Sequence, residues 1–389
     1  MRSCVVWLVV GTCLIAQTPS RSAMLEQQLS SAPDRAIALL VLTGACWAEH
    51  TRDRALHWLR ELVELKTGFD PAQTALPAEL RADPEFQRLA ARAAADNPPI
   101  TRSRTAFTVA DRELIPEGVA WDPATRKLYL GSIYKKKIVV IAPNGAARDF
   151  VASGQDGLDQ VLGMKVDPKT RTLWAASSSK GQSGLFHYDL QTGRLVRKYV
   201  LEGNHLFNDL VVTSAGDVYV TDSNAGALYW ISHAADAAAE LLPGTKFDFT
   251  NGIAISADEK KLYVSAWPAG ISVVDLPART VKPLAHASNV TLAGIDGLYT
   301  FGGDLIAIQN AAMFSRVVRL RLVHGEDRVE RLDVLERRHP LHQIPTTGAV
   351  AGRQFYYIAN SQVDRLSDDG AVKPGELKPV VILSLSLPR

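Results

Sequence analysis

Asn251-Gly252-Ile253-Ala254-Ile255, followed after a polar turn by Leu262-Tyr263-Val264, is one copy of the pattern that decides the fold. Each copy has a small turn, a short apolar strand, a polar turn with Asp or Gly, and a strand bearing an aromatic or bulky apolar residue. The second residues of the six copies recur at intervals of 43 to 51 positions: Gly118, Gly163, Asp209, Gly252, Gly297 and Gly348. A period near 45 residues with several strands per unit is typical of a β-propeller. The repeat therefore predicts six blades.

The fold class that follows is an all-β six-bladed β-propeller over residues 105–388, preceded by a small α-helical domain over residues 24–99. The first region has apolar residues at helical spacing, and Asp34 and Thr51 are predicted helix caps. It resembles a degenerate tetratricopeptide helical hairpin. One such unit cannot bury its apolar face alone, so packing against a neighbour or the propeller is expected. Recruitment of a protein partner is the less favoured role.

The N-terminus has the composition of a secretory signal. Arg2 precedes an apolar run over residues 5–16, and small residues follow it. We predict a signal peptide over residues 1–22 and an exported protein, periplasmic or secreted. The run is shorter than the roughly 20 residues that span a membrane, so no span is expected in the mature form. A lipid anchor on Cys13 is the weaker alternative, and Cys46 is expected to be a buried thiol.

The overall charge is nearly balanced, with 43 Lys and Arg residues against 41 Asp and Glu residues and a formal net charge of +2. This balance gives no electrostatic basis for binding nucleic acid. The sequence also has no phosphate-binding Gly-rich loop followed by Lys-Ser/Thr, no His-Glu-x-x-His zinc motif and no Gly-x-Ser-x-Gly nucleophile motif. The chemistry has to be sought in the repeat itself.

The residue before each inner strand is expected to lie at one rim of the central channel. Read along the chain, this predicted ring is Glu117, Leu162, Asn208, Asn251, Asp296 and Thr347. Asn and Asp often only form turns at strand entries, but four carboxylate or amide side chains at one repeat position favour a shared site. Hard oxygen donors suit Ca²⁺, Mg²⁺ or Mn²⁺ better than zinc or copper. We predict that Glu117, Asn208, Asn251 and Asp296 hold a divalent metal, most readily Ca²⁺, with Zn²⁺ as a further possibility.

Four segments then resemble the senescence marker protein/gluconolactonase (regucalcin-like) family over about residues 105–385. They are Pro116-Glu117-Gly118-Val119-Ala120-Trp121, Asn208-Asp209-Leu210, Thr250-Asn251-Gly252-Ile253-Ala254 and Ile295-Asp296-Gly297-Leu298. The resemblance implies a divalent metal, usually calcium, on Glu117, Asn251 and Asp296, and contact of Asn208 with metal or substrate. It also implies that Asp296 is the catalytic base. Paraoxonases and strictosidine-synthase-like proteins share the six-bladed plan.

The chain departs from these relatives at informative positions. Leu206 stands where sugar lactonases of the family carry an Arg that contacts sugar hydroxyls, which argues against an aldonolactone such as gluconolactone. Gly297 stands where the paraoxonase pattern has an Asn. Besides Asp296, His205 is a candidate catalytic base, and the predicted substrate-binding residues are Asn208, Leu206, His342 and Thr347.

These observations predict a divalent-metal-dependent hydrolase of a small-molecule lactone or ester. The alternative is a non-catalytic propeller in which the metal locks the blades together and the channel mouth binds a ligand or protein. A condensing enzyme of the strictosidine-synthase kind has no support beyond the shared fold.

Overall fold

The structure is a computed structural model that describes residues 19–234, 237–267, 270–367 and 371–388. Most of the predicted signal peptide, including Cys13, lies outside the described residues. The last residues of that predicted segment lie inside them, where Ser20 caps the first helix and Ser22 is buried. The hydroxyl of Ser22 donates a hydrogen bond of 2.6 Å to Glu49. No helix in the described ranges is long and apolar enough to cross a membrane.

Six four-stranded antiparallel sheets form the body of the molecule, which confirms the predicted six-bladed β-propeller. The first three blades are β2–β5 (Pro116–Asp122, Lys127–Ser132, Ile138–Ile141, Ala147–Val151), β6–β9 (Gln160–Asp167, Thr172–Ser179, Gln182–Asp189, Leu195–Glu202) and β10–β13 (Phe207–Val212, Val218–Asp222, Ala227–Ile231, Ala239–Glu240). Blades four and five are β14–β17 (Thr250–Ile255, Lys261–Ala266, Gly270–Asp275, Thr280–Pro283) and β18–β21 (Ile295–Phe301, Asp304–Gln309, Arg316–Leu322, Val329–Arg337). The innermost strands of neighbouring blades contact one another around the ring.

The sixth blade is built from both ends of the propeller sequence. Its inner strands are β22–β24 (Gly348–Ala351, Gln354–Ile358, Val380–Ser386), and its outer strand is β1 (Arg104–Val109). Strand β1 pairs antiparallel with β24, with Val109 opposite Val380. A strand that comes before blade one therefore completes blade six and closes the ring.

The region before the propeller is helical, as the sequence predicts. Its α-helices are α1 (Arg21–Gln28), α2 (Arg35–Ala48), α3 (Arg52–Glu64), α4 (Ala78–Arg81) and α5 (Pro84–Asp96). Asp34 caps α2 through backbone amides of its first turn. Thr51 precedes α3 without a side-chain capping bond, and its hydroxyl instead donates to the Cys46 carbonyl at 2.8 Å. Cys46 itself is a buried free thiol.

The helical region packs on blade five. Its apolar core, which includes Leu59 and Phe69, also contains Met313 and Phe314 from the loop between β19 and β20. The Asp70 amide donates to the Ala312 carbonyl at 3.0 Å. Because Ile295 at the start of β18 pairs with Gln309 at the end of β19, this loop lies at the end of the blade where the inner strand begins. The helices thus flank the channel mouth that carries the predicted ring.

Candidate functional site at the channel mouth

The inner strands share an irregularity at the predicted ring positions. In blades one to five, the pairing register between the inner strand and the second strand shifts around the ring residue. In blade one, for example, the shift lies between Pro116 and Val119, on either side of Glu117. A shift of this kind leaves residues unpaired and re-aims their side chains. The glycine after the ring residue permits close packing: a Cβ on Gly118 would lie 1.8 Å from the Leu162 carbonyl oxygen. The pairing register of the inner strand therefore shifts at the same repeat position in each of these blades.

Glu117 and Asp296 are the two acids of the ring, and both are almost fully buried. Neither Glu117 Oε2 nor Asp296 Oδ1 has a hydrogen-bond partner among the described residues. Burial raises the pKa of Glu117 well above its usual value, and the charge of Asp296 raises it further. Burial also raises the pKa of Asp296 to about 6, against the lowering effect of a hydrogen bond from Asn310. Two buried carboxyls that disfavour each other's charge call for a compensating cation.

The two ring amides occupy the neighbouring positions. Asn208 is buried, and its Nδ2 donates to Ser223 Oγ at 3.0 Å, so its amide oxygen remains available to another ligand. Asn251 is partly buried, and its side chain lowers the pKa of the Asp296 carboxyl. Thr347 is buried, but its hydroxyl donates to the backbone carbonyl of Glu117 and ties blade six to blade one.

Three residues beneath the ring were missed by the sequence analysis. Asp209 is buried, and its carboxylate lies 3.7 Å from Lys165 Nζ. The same Lys165 ammonium stands 5.0 Å from the centroid of the Tyr299 ring. The Tyr299 hydroxyl accepts a hydrogen bond of 2.6 Å from the Gly348 amide. Side chains from blades two, three and five thus place a cation, an anion and a phenol inside the channel below the ring.

Asn310 is a fourth residue that the sequence analysis missed. Its Nδ2 donates to Asp296 Oδ2 at 2.6 Å and to the Pro345 carbonyl at 2.9 Å. This contact leaves Oδ1 as the free oxygen of Asp296. Asn310 lies at the end of β19, directly before the loop on which the helical region packs.

The contacts of His205 are with residues other than the two ring acids. Its Nδ1 lies 2.5 Å from Oδ2 of the fully buried Asp222, and its ring packs edge-on against Tyr229 at 5.8 Å. No hydrogen bond or ion pair between described residues joins it to Glu117 or Asp296. Leu206 follows it at the mouth, partly exposed, and its amide donates to the same Asp222 at 2.9 Å.

His342 lies at the junction of blades five and six. Its Nε2 is 3.1 Å from the Tyr357 hydroxyl, and its Nδ1 has no partner in the described part of the chain. Burial, together with the neighbouring His339, lowers the pKa of His342 to about 4. Its side chain borders a cavity of about 650 Å³ lined by β1 and the loops after β21 and β23, and not the channel cavity described next. Its contacts therefore do not unite it with the acids.

The channel continues past the ring into a cavity of about 270 Å³. All six inner strands line it, mostly through apolar side chains, with Lys165 and Tyr299 among its walls. Since the cavity residues follow the ring residues along each inner strand, it lies toward the opposite end of the channel. The mouth itself remains the position where the unpartnered carboxyl oxygens converge.

The donor set fits a hard divalent cation. Two carboxylate oxygens without partners and an available amide oxygen are the ligands that Ca²⁺ takes in proteins. No three His, Cys, Asp or Glu side chains within the described ranges are close enough to form a metal site on their own. A metal site at this mouth would need the amides of Asn208 and Asn251 in addition to Glu117 and Asp296.

Comparison with solved structures gives the same architecture at low sequence identity. A gluconolactonase from Xanthomonas campestris is 17% identical with a TM-score of 0.52, and the match covers 75% of this chain and 95% of the other. A protein described as a calcium-binding regucalcin from Agrobacterium tumefaciens is also 17% identical, with a TM-score of 0.53 and coverage of 73% and 96%. A PQQ-bound aldose sugar dehydrogenase from Streptomyces coelicolor is 14% identical, with a TM-score of 0.51 and coverage of 75% and 99%. At such identities the likeness establishes the propeller fold alone.

A search of curated proteins gave no significant match. Residues 115–299 match the family model described as "SMP-30/Gluconolactonase/LRE-like region". The matched stretch runs from the start of the first inner strand into the fifth and contains Glu117, Asn208, Asn251 and Asp296. The resemblance inferred from the signature segments is thereby confirmed, and this propeller carries an SMP-30/gluconolactonase/LRE-like region.

Proposed function

We propose that the protein is a divalent-metal-dependent hydrolase of a lactone or ester, with its active site at the channel mouth. The observation that carries the proposal is the pair of buried, unpartnered oxygens, Glu117 Oε2 and Asp296 Oδ1, beside the amides of Asn208 and Asn251. A stable protein seldom leaves buried charged groups without partners unless a ligand completes them. The family match and the fold shared with a gluconolactonase support lactone hydrolysis as the reaction class.

Glu117, Asn208, Asn251 and Asp296 would hold the metal. When bound, Ca²⁺ supplies Lewis acidity toward the substrate carbonyl. The chain itself fixes the acids: Asn310 orients Asp296 through Oδ2, and the backbone carbonyl of Glu117 is held by Thr347. This preorganisation means that the ring does not have to rearrange when the substrate binds.

The Asp296 carboxylate is proposed to accept a proton from the attacking water. The water oxygen adds to the carbonyl carbon, the bond from that carbon to the ring or ester oxygen breaks, and the leaving oxygen takes up the proton that Asp296 accepted. The products are a hydroxy acid from a lactone, or an acid and an alcohol from an ester. His205 is the alternative base from the sequence, but its contacts with Asp222 and Tyr229 assign it better to holding the rim.

The substrate is proposed to be less hydroxylated than a sugar lactone. Leu206 presents an apolar side chain at the mouth, partly exposed to solvent. No hydrogen bond can form from this side chain to a sugar hydroxyl. An aliphatic lactone or an aryl ester matches this surface better than gluconolactone.

The test is hydrolysis of δ-valerolactone, γ-butyrolactone, phenyl acetate and gluconolactone by the purified protein. Each substrate is assayed after chelation and after addition of Ca²⁺, Mn²⁺, Mg²⁺ or Zn²⁺. We expect turnover only with metal, with the aliphatic lactones or the aryl ester preferred. Asp296→Asn should lower kcat by at least about 100-fold, whereas Asp149→Asn on the exposed outer strand of blade one should not change it.

A different result would favour the non-catalytic alternative. If chelation lowers the thermal stability and no substrate is turned over with any metal, the metal locks the blades of a binding module. If Asp296→Asn leaves both metal binding and hydrolysis unchanged, the site proposed at this mouth is wrong.

A further inference from the structure

A second polar site lies between the helical region and blade five. Arg316 begins β20 and is only 2% exposed. It lines a cavity of about 240 Å³ that is also bordered by Lys66 and Thr67 from the helical region and by Arg337 of β21. The cavity is therefore formed by both parts of the chain, away from the channel mouth.

Among the described residues, the guanidinium of Arg316 contacts only neutral groups. Its Nε donates to Gln309 Oε1 at 2.8 Å, and one terminal nitrogen lies 4.0 Å from the thioether sulfur of Met313. Burial, together with the charge of Arg337, lowers the pKa of Arg316 to about 9. A buried cation in this state is costly unless an anion is supplied.

The other groups around the cavity are also deficient in negative charge. Thr67 is buried, and its hydroxyl has no hydrogen-bond partner in the described part of the chain. Arg337 is bound to neutral acceptors, the Pro98 carbonyl and the Asn97 side-chain oxygen, each at 3.0 Å. Glu330 is the one acid among the lining residues, and its side chain is exposed.

We propose that this cavity binds a small oxyanion between Arg316 and Thr67. The planar guanidinium offers two parallel N–H donors, which match the oxygens of a phosphate or a carboxylate. The Thr67 hydroxyl, which borders the same cavity and has no partner among the described residues, supplies a third donor. Because Thr67 belongs to the helical region and Arg316 to the propeller, the anion joins the two parts and stabilises their contact.

The test measures binding of inorganic phosphate to the full chain by calorimetry, and thermal unfolding in phosphate against chloride at equal ionic strength. Acetate in a parallel titration distinguishes a carboxylate site from a phosphate site. We expect saturable binding of one anion and a Tm that rises with its concentration. Arg316→Met should weaken the affinity by about 10-fold or more, whereas Arg148→Met, with the same loss of charge at an exposed side chain of β5 outside this cavity, should leave it unchanged.

Thr67→Val keeps the test decisive if Arg316→Met does not fold. It removes only a hydroxyl without a partner, so the protein without anion should be as stable as the wild type. The phosphate or acetate affinity should fall by about 3- to 10-fold. The proposal is overturned if neither anion binds saturably, or if the Thr67→Val protein binds the anion as tightly as the wild type and the Arg148→Met control do.

Discussion

At the level of single residues, the site depends on an unfavourable arrangement of charge. Glu117 and Asp296 are buried from two blades at the same mouth, and each disfavours ionisation of the other. The repeat places them there, since each is the second residue of an inner strand, Glu117 in β2 and Asp296 in β18. A fold does not gain stability from such a pair. Binding of a cation would offset the unfavourable free energy of burying the two carboxyls.

Glu117→Gln tests this interpretation through stability. Without metal, the free energy of unfolding of the variant should be about 1 to 2 kcal/mol higher than that of the wild type, because a neutral amide replaces a buried carboxyl that has no partner. With Ca²⁺ at about 100 times the dissociation constant, the wild type should gain about 2.7 kcal/mol. The variant should lose most of this gain. Chemical denaturation with and without Ca²⁺ measures both effects.

Glu202→Gln, at an exposed position at the end of β9, is the matched control and should match the wild type in both conditions. A Glu117→Gln protein that is less stable without metal and still stabilised by Ca²⁺ would contradict the proposed role of the carboxyl.

The ring acids could be predicted from the sequence, whereas their partners could not. Glu117, Asn251 and Asp296 occupy the same position of the repeat. Equivalent positions in successive blades lie at equivalent places around the propeller axis. Asn310 lies outside that position, 14 residues after Asp296 along the chain, and reaches it only because β19 folds back on β18. Lys165 meets Asp209 across two blades, and no local pattern encodes that pairing.

At the level of elements, the strands of blade two stack aromatic groups across the sheet. Trp174 of β7 and His187 of β8 are register partners, with ring centroids 3.9 Å apart and planes inclined by 12°. His187 Nε2 has no partner among the described residues. Burial lowers the pKa of His187 to about 4 from an ordinary 6.5. The stack therefore favours the neutral imidazole.

This pKa gives a stability change with a definite sign. Between pH 6.5 and 4 the unfolded chain binds a proton at His187 that the folded protein does not, so stability falls as the pH falls through this window. His187→Phe keeps an aromatic ring against Trp174 and removes the titration. Its loss of stability from pH 7 to pH 4, measured by denaturant unfolding, should be smaller than that of the wild type.

The two proteins should be compared at pH 8 first, where the imidazole is neutral in both states and only packing differs. Equal losses of stability on acidification in the two proteins would show that His187 does not contribute.

The inner strands were predictable as elements, and β1 was not. Each inner strand follows a turn and a glycine or aspartate that the repeat makes visible, as at Gly252. Strand β1 (Arg104–Val109) has no such signature and finds its partner, β24, at the far end of the chain. Its role is set by ring closure, which is a property of the assembled blades.

At the level of the whole molecule, β1 holds the propeller closed. Val109 is 5% exposed and pairs with the fully buried Val380. Val109→Asp should lower the free energy of unfolding by about 2 to 4 kcal/mol, because it buries an unpaired charge in the closing sheet. Arg104→Asp, at the exposed start of the same strand, should cost far less. Denaturation curves of the two variants compare them directly.

An equal and small effect of both variants would mean that closure does not depend on this pair of strands.

The helical region adds a second connection across the molecule. Asp34, the cap of α2, accepts a hydrogen bond of 2.6 Å from Thr291, which lies before the inner strand of blade five. The loop that carries Met313 contributes to the core of the helices and begins beside Asn310. This loop therefore links the core of the helical region to the Asp296 carboxyl through Asn310.

The closure by β1 also has a consequence in time. Val109 leaves the ribosome about 270 residues before Val380, which at typical synthesis rates is roughly 14 to 54 seconds. During that interval β1 lacks its pairing strand β24, and its unpaired backbone groups are exposed to pairing with other chains. Nascent propellers at high density would therefore be exposed to exchange of their first strand, so that one molecule's blade six is finished by its neighbour's β1.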